Sequence, residues 1–378
     1  MTDLLEYFQS QKSTMLALMD QLVKFETFTS EKENVDRMAA HLARQLAELG
    51  AEVQTHDHEL VGNHVLARWN PGAEGKPLLF LTHSDTVWPS GTLEERPPRI
   101  ESGKYYGPGA VDMKGGITVA LSAMQGLQAL GRLPKRPIYF LLTSDEEIGS
   151  PHSEELILDV ASQCGLVLVM EPALPDESFK TARKGVGTYT IRVKGLPAHA
   201  GNAPEQGINA VVELARQILV IDSFNDLRRG TSVSVDLCEG GIAVNVIAPH
   251  ASAQVDVRTV TNAAWEETRR KMMSLQPQMP GAEVQVLNPS ARGPLERSER
   301  VVSQVRQIAQ NHGLTFREGS SGGGSDGNLT AAAGIPTLDG CGPQGDGLHA
   351  LHEYVVIDSL PRRAAFMAAI LCDWDCEQ

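Results

Sequence analysis

The chain of 378 residues is longer than one hydrophobic core usually serves, so its length predicts two domains. Hydrophobic residues make up 42% and charged residues 21%, a balance that is typical of globular proteins and excludes a largely disordered chain. The formal net charge of -14 disfavours a nucleic-acid partner, because nucleic acids are bound mainly through Lys and Arg, and we expect a small substrate instead.

The amino-terminal stretch, residues 1–25, spaces its apolar residues at helical intervals and interrupts them with charged side chains. This pattern predicts a packed helix and not a secretion signal. No uncharged stretch reaches the roughly 18 residues needed to cross a bilayer, so no membrane partner is expected. The cysteines are odd in number and lack paired C-x-x-C spacing, which indicates reduced thiols and a cytoplasmic location. They are Cys164, Cys238, Cys341, Cys372 and Cys376.

Three continuous apolar runs, residues 78–81, 138–142 and 166–170, are typical of strands buried on both faces of a parallel sheet. Helical patterns separate them, and the pattern at residues 116–130 has Gly131 available as its stop. This alternation of strand and helix predicts an α/β domain with a mixed, largely parallel central sheet flanked by helices.

The pattern changes between residues 184 and 292, where alternating strands and two helical segments follow the order β-α-β-β-α-β. That order is typical of a ferredoxin-like α+β domain inserted into the first one. The chain then returns to the first domain with a helix at 299–311, a Gly-rich loop and a last helix at 359–372. The predicted boundaries are therefore 1–183 and 293–378 for the first domain and 184–292 for the insert.

Each of the three apolar strands is followed by residues of metal-ligand type, in the motifs THSD, SDEE and MEP. In open α/β sheets the carboxyl ends of the strands form the ligand crevice, so the side chains of these motifs should converge there. They are His83, Asp85, Glu146, Glu147 and Glu171. Polar residues are also common at ordinary strand ends, and it is the coincidence of three motifs that favours a site.

A fourth motif, GPGAVDMKGG, places Asp112 just ahead of the helix predicted from residue 116. Its four glycines permit backbone angles that other residues avoid, so Asp112 can be held in a position to bridge two metal ions. An isolated aspartate in front of a helix is more often a simple N-terminal cap. The spacing alone leaves both interpretations open.

Together these motifs resemble the dinuclear zinc exopeptidase family that contains glutamate carboxypeptidase, acetylornithine deacetylase and succinyl-diaminopimelate desuccinylase. The resemblance lies in THSDTV, GPGAVDMKGG, SDEEIGS, VMEPA, LPAHAGNAPEQGINA and GLHALHEYV, in this order, and it covers nearly the whole chain. The ending HEYVVIDSLPRRAAFMAAIL resembles glutamate carboxypeptidase most closely. The resemblance implies a zinc-exopeptidase-like catalytic domain with an inserted domain that acts as a lid and forms a homodimer.

The resemblance also implies two zinc ions per chain, with Co²⁺ or Mn²⁺ as possible substitutes. It implies five metal ligands: His83, Asp112, Glu147, Glu171 and His349. His83 and Glu171 would bind one ion, Glu147 and His349 the other, and Asp112 both. Glu146 would be the general acid/base, and Asp85 would orient the ring of His83.

The chemistry of these residue types agrees with such roles. Imidazole and carboxylate groups are suitable zinc ligands, and three carboxylates with two neutral histidines leave two Zn²⁺ ions with net positive charge. Such a centre can lower the pKa of bound water to about 7. Of the adjacent acids Glu146 and Glu147, one can bind metal while the other moves protons.

Two histidine pairs offer alternatives. His349 and His352 compete for the last ligand position, and the resemblance favours His349 because a family ligand commonly precedes an acidic residue corresponding to Glu353. His56 and His58 look like a metal pair, but their surroundings are polar and no carboxylate motif adjoins them, so we expect a solvated strand or loop.

The inserted domain carries the expected substrate contacts. The resemblance implies that His199 reaches the active site of the neighbouring subunit and stabilises an oxyanion. Asn245 and Arg292, with Arg258 less clearly, resemble positions that bind the substrate's terminal carboxylate, although any single arginine can also form an ordinary surface ion pair. Gly323 and Gly324 lie in the loop SSGGGSDGN, which either offers backbone N–H groups to a carboxylate or is a flexible connection.

The sequence therefore predicts a dizinc metallohydrolase that cleaves an amide bond in a small peptide or N-acyl amino acid. A glutamate-carboxypeptidase-like exopeptidase that releases a C-terminal amino acid is the preferred interpretation. An N-acyl amino acid deacylase is the alternative, since the same metal pair attacks any suitably placed amide. A catalytically silent protein of the same fold would be expected to lack a ligand or the base, whereas the full set is present.

Overall fold

The structure is a computed structural model that describes residues 4–377. The chain divides into two compact units. The large unit contains the described residues up to Ala182, Arg297–Ser321 and those from Ser325 onward, and the small unit contains Arg183–Glu296 with Gly322–Gly324. The predicted insert, residues 184–292, falls within the range of the small unit.

The described residues form eleven α-helices and sixteen strands. The helices are α1 Leu4–Ser10, α2 Lys12–Val23, α3 Lys32–Glu48, α4 Thr92–Glu95, α5 Gly115–Ala129, α6 Glu154–Ser162, α7 Ala210–Asp222, α8 Asn262–Met273, α9 Glu299–Asn311, α10 Asp326–Ala332 and α11 Ser359–Asp373. The strands are β1 Glu52–His56, β2 His64–Trp69, β3 Leu78–His83, β4 Arg99–Glu101, β5 Lys104–Tyr106, β6 Ile138–Thr143, β7 Leu166–Val169, β8 Phe179–Arg183, β9 Gly185–Lys194, β10 Ser232–Gly240, β11 His250–Thr259, β12 Glu283–Arg292, β13 Glu318–Ser321, β14 Thr337–Leu338, β15 Gly345–Asp346 and β16 Tyr354–Val356.

The large unit is built on a six-stranded sheet with the order β1-β2-β6-β3-β7-β14. Strand β3 pairs in parallel with β6 and β7, and β7 pairs in parallel with β14, whereas β2 is antiparallel to β1 and β6. Every residue of β3, β6 and β7 is buried, which explains their unalternating apolar sequences. The α/β fold with a mixed, largely parallel sheet is confirmed.

The small unit consists of a four-stranded antiparallel sheet with the order β10-β11-β9-β12 and of the two helices α7 and α8. Strand β9 alternates buried and more exposed residues, as expected for a sheet with one packed face. Tyr189, Ile191 and Val193 of that strand lie in the core of this unit. The element order β-α-β-β-α-β is the ferredoxin-like one.

Two helical segments differ from the predicted elements. The stretch predicted as one amino-terminal helix forms α1 and α2, which are separated at Gln11. The apolar spacing predicts a helix over residues 208–220. Helix α7 begins two residues later, at Ala210, because the side chain of Asn209 caps it by accepting hydrogen bonds from the N–H groups of Val211 and Val212.

No helix within residues 4–377 is long and apolar enough to cross a membrane.

Candidate metal centre

Three adjacent strands bring the motif residues to one edge of the large sheet. His83 is the last residue of β3 and pairs with Thr143 at the end of β6, while Leu81 pairs with Val169 at the end of β7. The SDEE motif directly follows β6, and Glu171 lies two residues beyond β7. Parallel pairing therefore places these three chain segments side by side, as the sequence predicted.

His83, Asp112 and Glu171 form one group of side chains that could hold a metal ion. The Nε2 atom of His83 lies 3.3 Å from Oδ1 of Asp112 and 3.5 Å from Oε1 of Glu171. All three residues are buried. The group thus offers one imidazole and two carboxylates at the carboxyl ends of the sheet.

Asp112, Glu147 and His349 form a second such group. The Nε2 atom of His349 lies 3.4 Å from Oδ2 of Asp112 and 3.1 Å from Oε2 of Glu147. Asp112 therefore faces one group with Oδ1 and the other with Oδ2. A single carboxylate is shared by two candidate sites, and it is held in the segment Ala110–Lys114 just before helix α5.

The donors of both groups fit divalent cations. The Nε2 atom of His83 and the Oε1 atom of Glu147 are buried and have no hydrogen-bond partner among the described residues. Buried polar atoms without a partner are costly, and a cation between these donors would satisfy them. Imidazole nitrogens and carboxylate oxygens are the ligand types found in catalytic zinc sites.

The electrostatics of the two groups also favour a cation. Hydrogen bonds to the carboxylates of Asp112 and Glu147 raise the pKa of His349 to about 10. Burial opposes a rise for His83, but Asp112, Asp85 and Glu171 outweigh it and raise the pKa of His83 well above its ordinary value. The carboxylates thus attract positive charge, and metal binding here would release protons from the histidines.

Residues 79–373 match the profile of peptidase family M20/M25/M40. The chain belongs to this family. Its curated relatives include carboxypeptidase G2 of Pseudomonas sp. (strain RS-16), which is 30% identical over 96% of this chain and 90% of the relative. A succinyl-diaminopimelate desuccinylase of Thioalkalivibrio sulfidiphilus is 27% identical over 95% of this chain and 98% of the relative.

Solved structures share the fold of this M20 family member. Aminopeptidase PepT from Bacillus cereus aligns with a TM-score of 0.76 and 21% identity, covering 96% of this chain and 98% of the other. The metallo-carboxypeptidase Sso-CP2 from Sulfolobus solfataricus aligns with a TM-score of 0.70 and 18% identity, covering 95% and 98%. Family membership identifies the protein as a metallohydrolase, and the family uses divalent metal ions.

Asp85 of this M20 protein contacts more of the site than the sequence indicated. The Nδ1 atom of His83 lies 3.0 Å from the backbone oxygen of Asp85 and 3.3 Å from its Oδ1 atom. The same carboxylate accepts hydrogen bonds from Thr29 Oγ1 at 2.8 Å and from the N–H groups of Glu146 and Glu147 at 3.3 and 3.2 Å. Asp85 therefore orients both the imidazole and the turn that carries the two acids.

Glu146 lies beside the first group of side chains. It begins the short 3₁₀ turn Glu146–Ile148 and is half-buried. With His83, Glu171 and Asp326 it lines one small cavity at the carboxyl end of β3. A carboxylate at this position is well placed to exchange protons with a reacting molecule near the candidate metal sites.

Glu353 organises the site in a way that the sequence analysis missed. Its carboxylate, in a residue with 0% exposure, accepts hydrogen bonds at 2.8 Å from Trp88 Nε1 and from the N–H groups of Gly109 and Val111. From the sequence alone, Glu353 is only the acidic residue that favours His349 as a ligand. Nothing in its spacing signals a contact with residues more than 240 positions away.

The remaining histidines lie outside both candidate metal-ligand groups within residues 4–377. His352 is exposed and belongs to neither group. His56 lies in strand β1 as expected, but His58 is not simply solvated, because its ring centroid lies 4.6 Å from that of His152 and 6.1 Å from that of His64. These rings pack against one another in a partly buried cluster.

The small unit places His199 and Asn245 on neighbouring segments. His199 forms a β-bridge with Val246, and the backbone oxygen of Asn245 accepts a hydrogen bond from the N–H of Ala200 at 2.9 Å. The Nδ1 atom of His199 accepts hydrogen bonds from the N–H groups of the two residues 201 and 202. A neutral His199 therefore carries its proton on Nε2.

Arg258 and the two glycines of the loop have hydrogen-bond partners within the small unit. Arg258 makes a bidentate ion pair with Asp256, with hydrogen bonds of 2.8 to 3.1 Å. The carbonyl oxygens of Gly323 and Gly324 each accept a hydrogen bond of 3.1 Å from Arg183, a residue that the sequence analysis did not select. Arg292 is buried at the end of β12.

Proposed function

We propose that the protein is a dizinc exopeptidase that releases a C-terminal amino acid, with a preference for glutamate-like residues. The observation that carries this proposal is the position of Asp112, whose two oxygens face two separate groups of ligand-type side chains. His83 and Glu171 would complete one zinc site, and Glu147 and His349 the other.

Two bound zinc ions would lower the pKa of water to about 7 and polarise the carbonyl of the scissile amide. Glu146 would then accept the proton of the attacking water and pass it to the leaving amine. Asp85 would keep the ring of His83 in the tautomer that presents Nε2 to the site, because Nδ1 faces the backbone oxygen of Asp85.

The small unit would act as a lid and dimerisation domain. His199 would donate from Nε2 to the oxyanion in the active site of the other subunit of a homodimer. Leu219 of α7 and Leu237 of β10 are 74% and 67% exposed, and such large apolar side chains support an association through this unit. Light scattering on the purified protein and on Leu219→Glu tests the dimer, since the charge should weaken it.

Arg292 and Asn245 would bind the terminal carboxylate of the substrate. Arg258 is the weaker candidate, because the carboxylate of Asp256 already occupies its bidentate face. Backbone groups of Gly323 and Gly324 would contribute from the neighbouring loop, whose carbonyl oxygens are held by Arg183.

The glutamate preference rests on the likeness to carboxypeptidase G2. The desuccinylase relatives support a second candidate, an N-acyl amino acid deacylase, since these enzymes share 27% to 29% identity with the chain. A few pocket contacts decide between such substrates.

The five cysteines are unpaired, which supports the proposed cytoplasmic location.

Metal analysis and a substrate screen on the purified protein test the proposal together. We expect two zinc ions per chain and a higher kcat/KM for peptides and folate-type compounds with a C-terminal glutamate than for N-acetyl or N-succinyl amino acids. The reverse order of substrates would favour the deacylase. Absence of metal-dependent amide hydrolysis would contradict both candidates and indicate a catalytically silent protein.

A further inference from the structure

A second cavity lies in the large unit, and none of the candidate metal ligands lines it. Its volume is ≈ 200 Å³. One side is formed by Arg317, Arg362, Arg363 and Glu177, and Leu314 and Phe366 contribute apolar surface. Two of the arginines and the phenylalanine belong to helix α11.

Arg363 is a buried cation with few hydrogen bonds. The residue is 2% exposed, and its guanidinium lies 3.9 Å above the ring of Phe179. Its Nη2 atom donates a hydrogen bond of 2.5 Å to the backbone oxygen of Glu177, but its buried Nε atom has no hydrogen-bond partner among the described residues. A guanidinium has five N–H donors, and leaving buried charged donors unpaired is costly.

The carboxylates near the cavity are already engaged elsewhere. Glu177 makes a bidentate pair with Arg362, with distances of 2.9 and 3.1 Å. The carboxylate of Asp176 accepts hydrogen bonds from the N–H and hydroxyl groups of Ser178. Arg317, which is exposed, donates to the backbone oxygen of Asp176 at 3.3 Å. Three guanidinium groups thus line the cavity, and the one carboxylate in its lining is paired with Arg362.

We propose that this cavity binds a small carboxylate. The carboxylate group would meet Arg363 and Arg317, because guanidinium groups pair with carboxylates through short charge-assisted hydrogen bonds. The short apolar part of the ligand would contact Leu314 and Phe366. The volume is below the roughly 300 to 1,000 Å³ of pockets for drug-sized ligands, so the occupant is a molecule of a few carbon atoms. This site is separate from the proposed catalytic function and does not depend on it.

Crystals of the metal-loaded enzyme soaked with sodium propionate test the site directly. Propanamide is the matched probe, since it has nearly the same shape without the charge. We expect propionate in the cavity with its oxygens within hydrogen-bond distance of Arg363 or Arg317, and no ordered propanamide. A cavity that holds only water at saturating propionate would overturn the proposal, and so would equal occupancy by the two probes.

A titration in solution separates this cavity from carboxylate binding elsewhere on the protein. Propionate affinity is measured from thermal stabilisation at constant ionic strength. We expect it to be about tenfold weaker in Arg317→Gln, which removes one charge-assisted contact. Arg44→Gln, an exposed change on helix α3, should keep the propionate affinity of the wild type.

Arg363→Met is a second variant. If it folds, propionate should no longer stabilise it against thermal unfolding. Since Arg317 is exposed, Arg317→Gln keeps the test conclusive even if Arg363→Met does not fold. Equal stabilisation of the wild type and Arg317→Gln would overturn the proposal.

Discussion

Glu353 accepts a hydrogen bond of 2.8 Å from the backbone N–H of Val111, and this contact joins the loop that carries His349 to the segment that carries Asp112. The same carboxylate accepts from the N–H of Gly109 at 2.8 Å and from that of Asp112 at 3.3 Å. A carboxylate can accept several such bonds, so Glu353 holds the backbone on both sides of Val111. Glu353 thereby holds the backbone of the segment that carries the shared carboxylate of Asp112.

Glu353→Gln should weaken metal binding. The amide keeps the shape but replaces one acceptor oxygen by a donor, which would face the N–H groups of Gly109 or Val111. Changes of this kind behind a metal site typically cost about 10- to 100-fold in affinity. Calorimetric titration with Zn²⁺ measures the loss, and Glu154→Gln at the exposed start of α6 is the control. Unchanged zinc affinity would remove Glu353 from the organisation of the site.

Glu146→Gln should retain both metal ions and lose nearly all turnover. The amide cannot accept and return a proton, and general acid–base catalysis typically contributes about 10²- to 10⁴-fold. Metal content and kcat are measured on the same preparation, so that loss of metal cannot account for loss of activity. Full activity in this variant would exclude Glu146 as the base.

His349→Ala and His352→Ala form a matched pair. The Nε2 atom of His349 lies 3.1 Å from Glu147, whereas His352 lies outside both candidate ligand groups. We expect His349→Ala to bind one zinc ion tightly instead of two, and His352→Ala to bind two. Elemental analysis after dialysis measures the ratio, and the opposite result would assign the ligand to His352.

His64→Gln should flatten the dependence of stability on pH. Burial lowers the pKa of His64 below its ordinary value of 6.5, against the attraction of Asp145. The unfolded chain therefore binds more protons than the folded chain once the pH falls through about 6.5, and stability is lost down to the folded pKa. Urea unfolding at pH 7.5 and pH 5.5 should show a smaller difference in the variant than in the wild type.

His250→Gln, a change at an exposed histidine, is the control for that measurement. It should retain the full pH dependence of the wild type. An identical slope for His64→Gln and the wild type would show that the buried histidine does not contribute to it.

Much of the architecture follows from patterns that are local in the sequence. The continuous apolar runs of β3, β6 and β7 identified a sheet buried on both faces, because each run records the burial of its own residues. Helix α9 occupies residues 299–311, as its apolar spacing indicated. The ligand-type residues at the strand ends could be selected for the same reason, since their positions follow from the strands.

Contacts between distant segments depended on the tertiary structure. The apolar pattern around residue 353 does not indicate that Glu353 faces residues 109–112, and the sequence could not show that Asp256 occupies Arg258. His349 and His352 differ by three positions in one loop, and the backbone path there decides which ring meets Glu147. Periodicity reports which side of an element is buried, but distances between loops depend on the packing of all the elements that hold them.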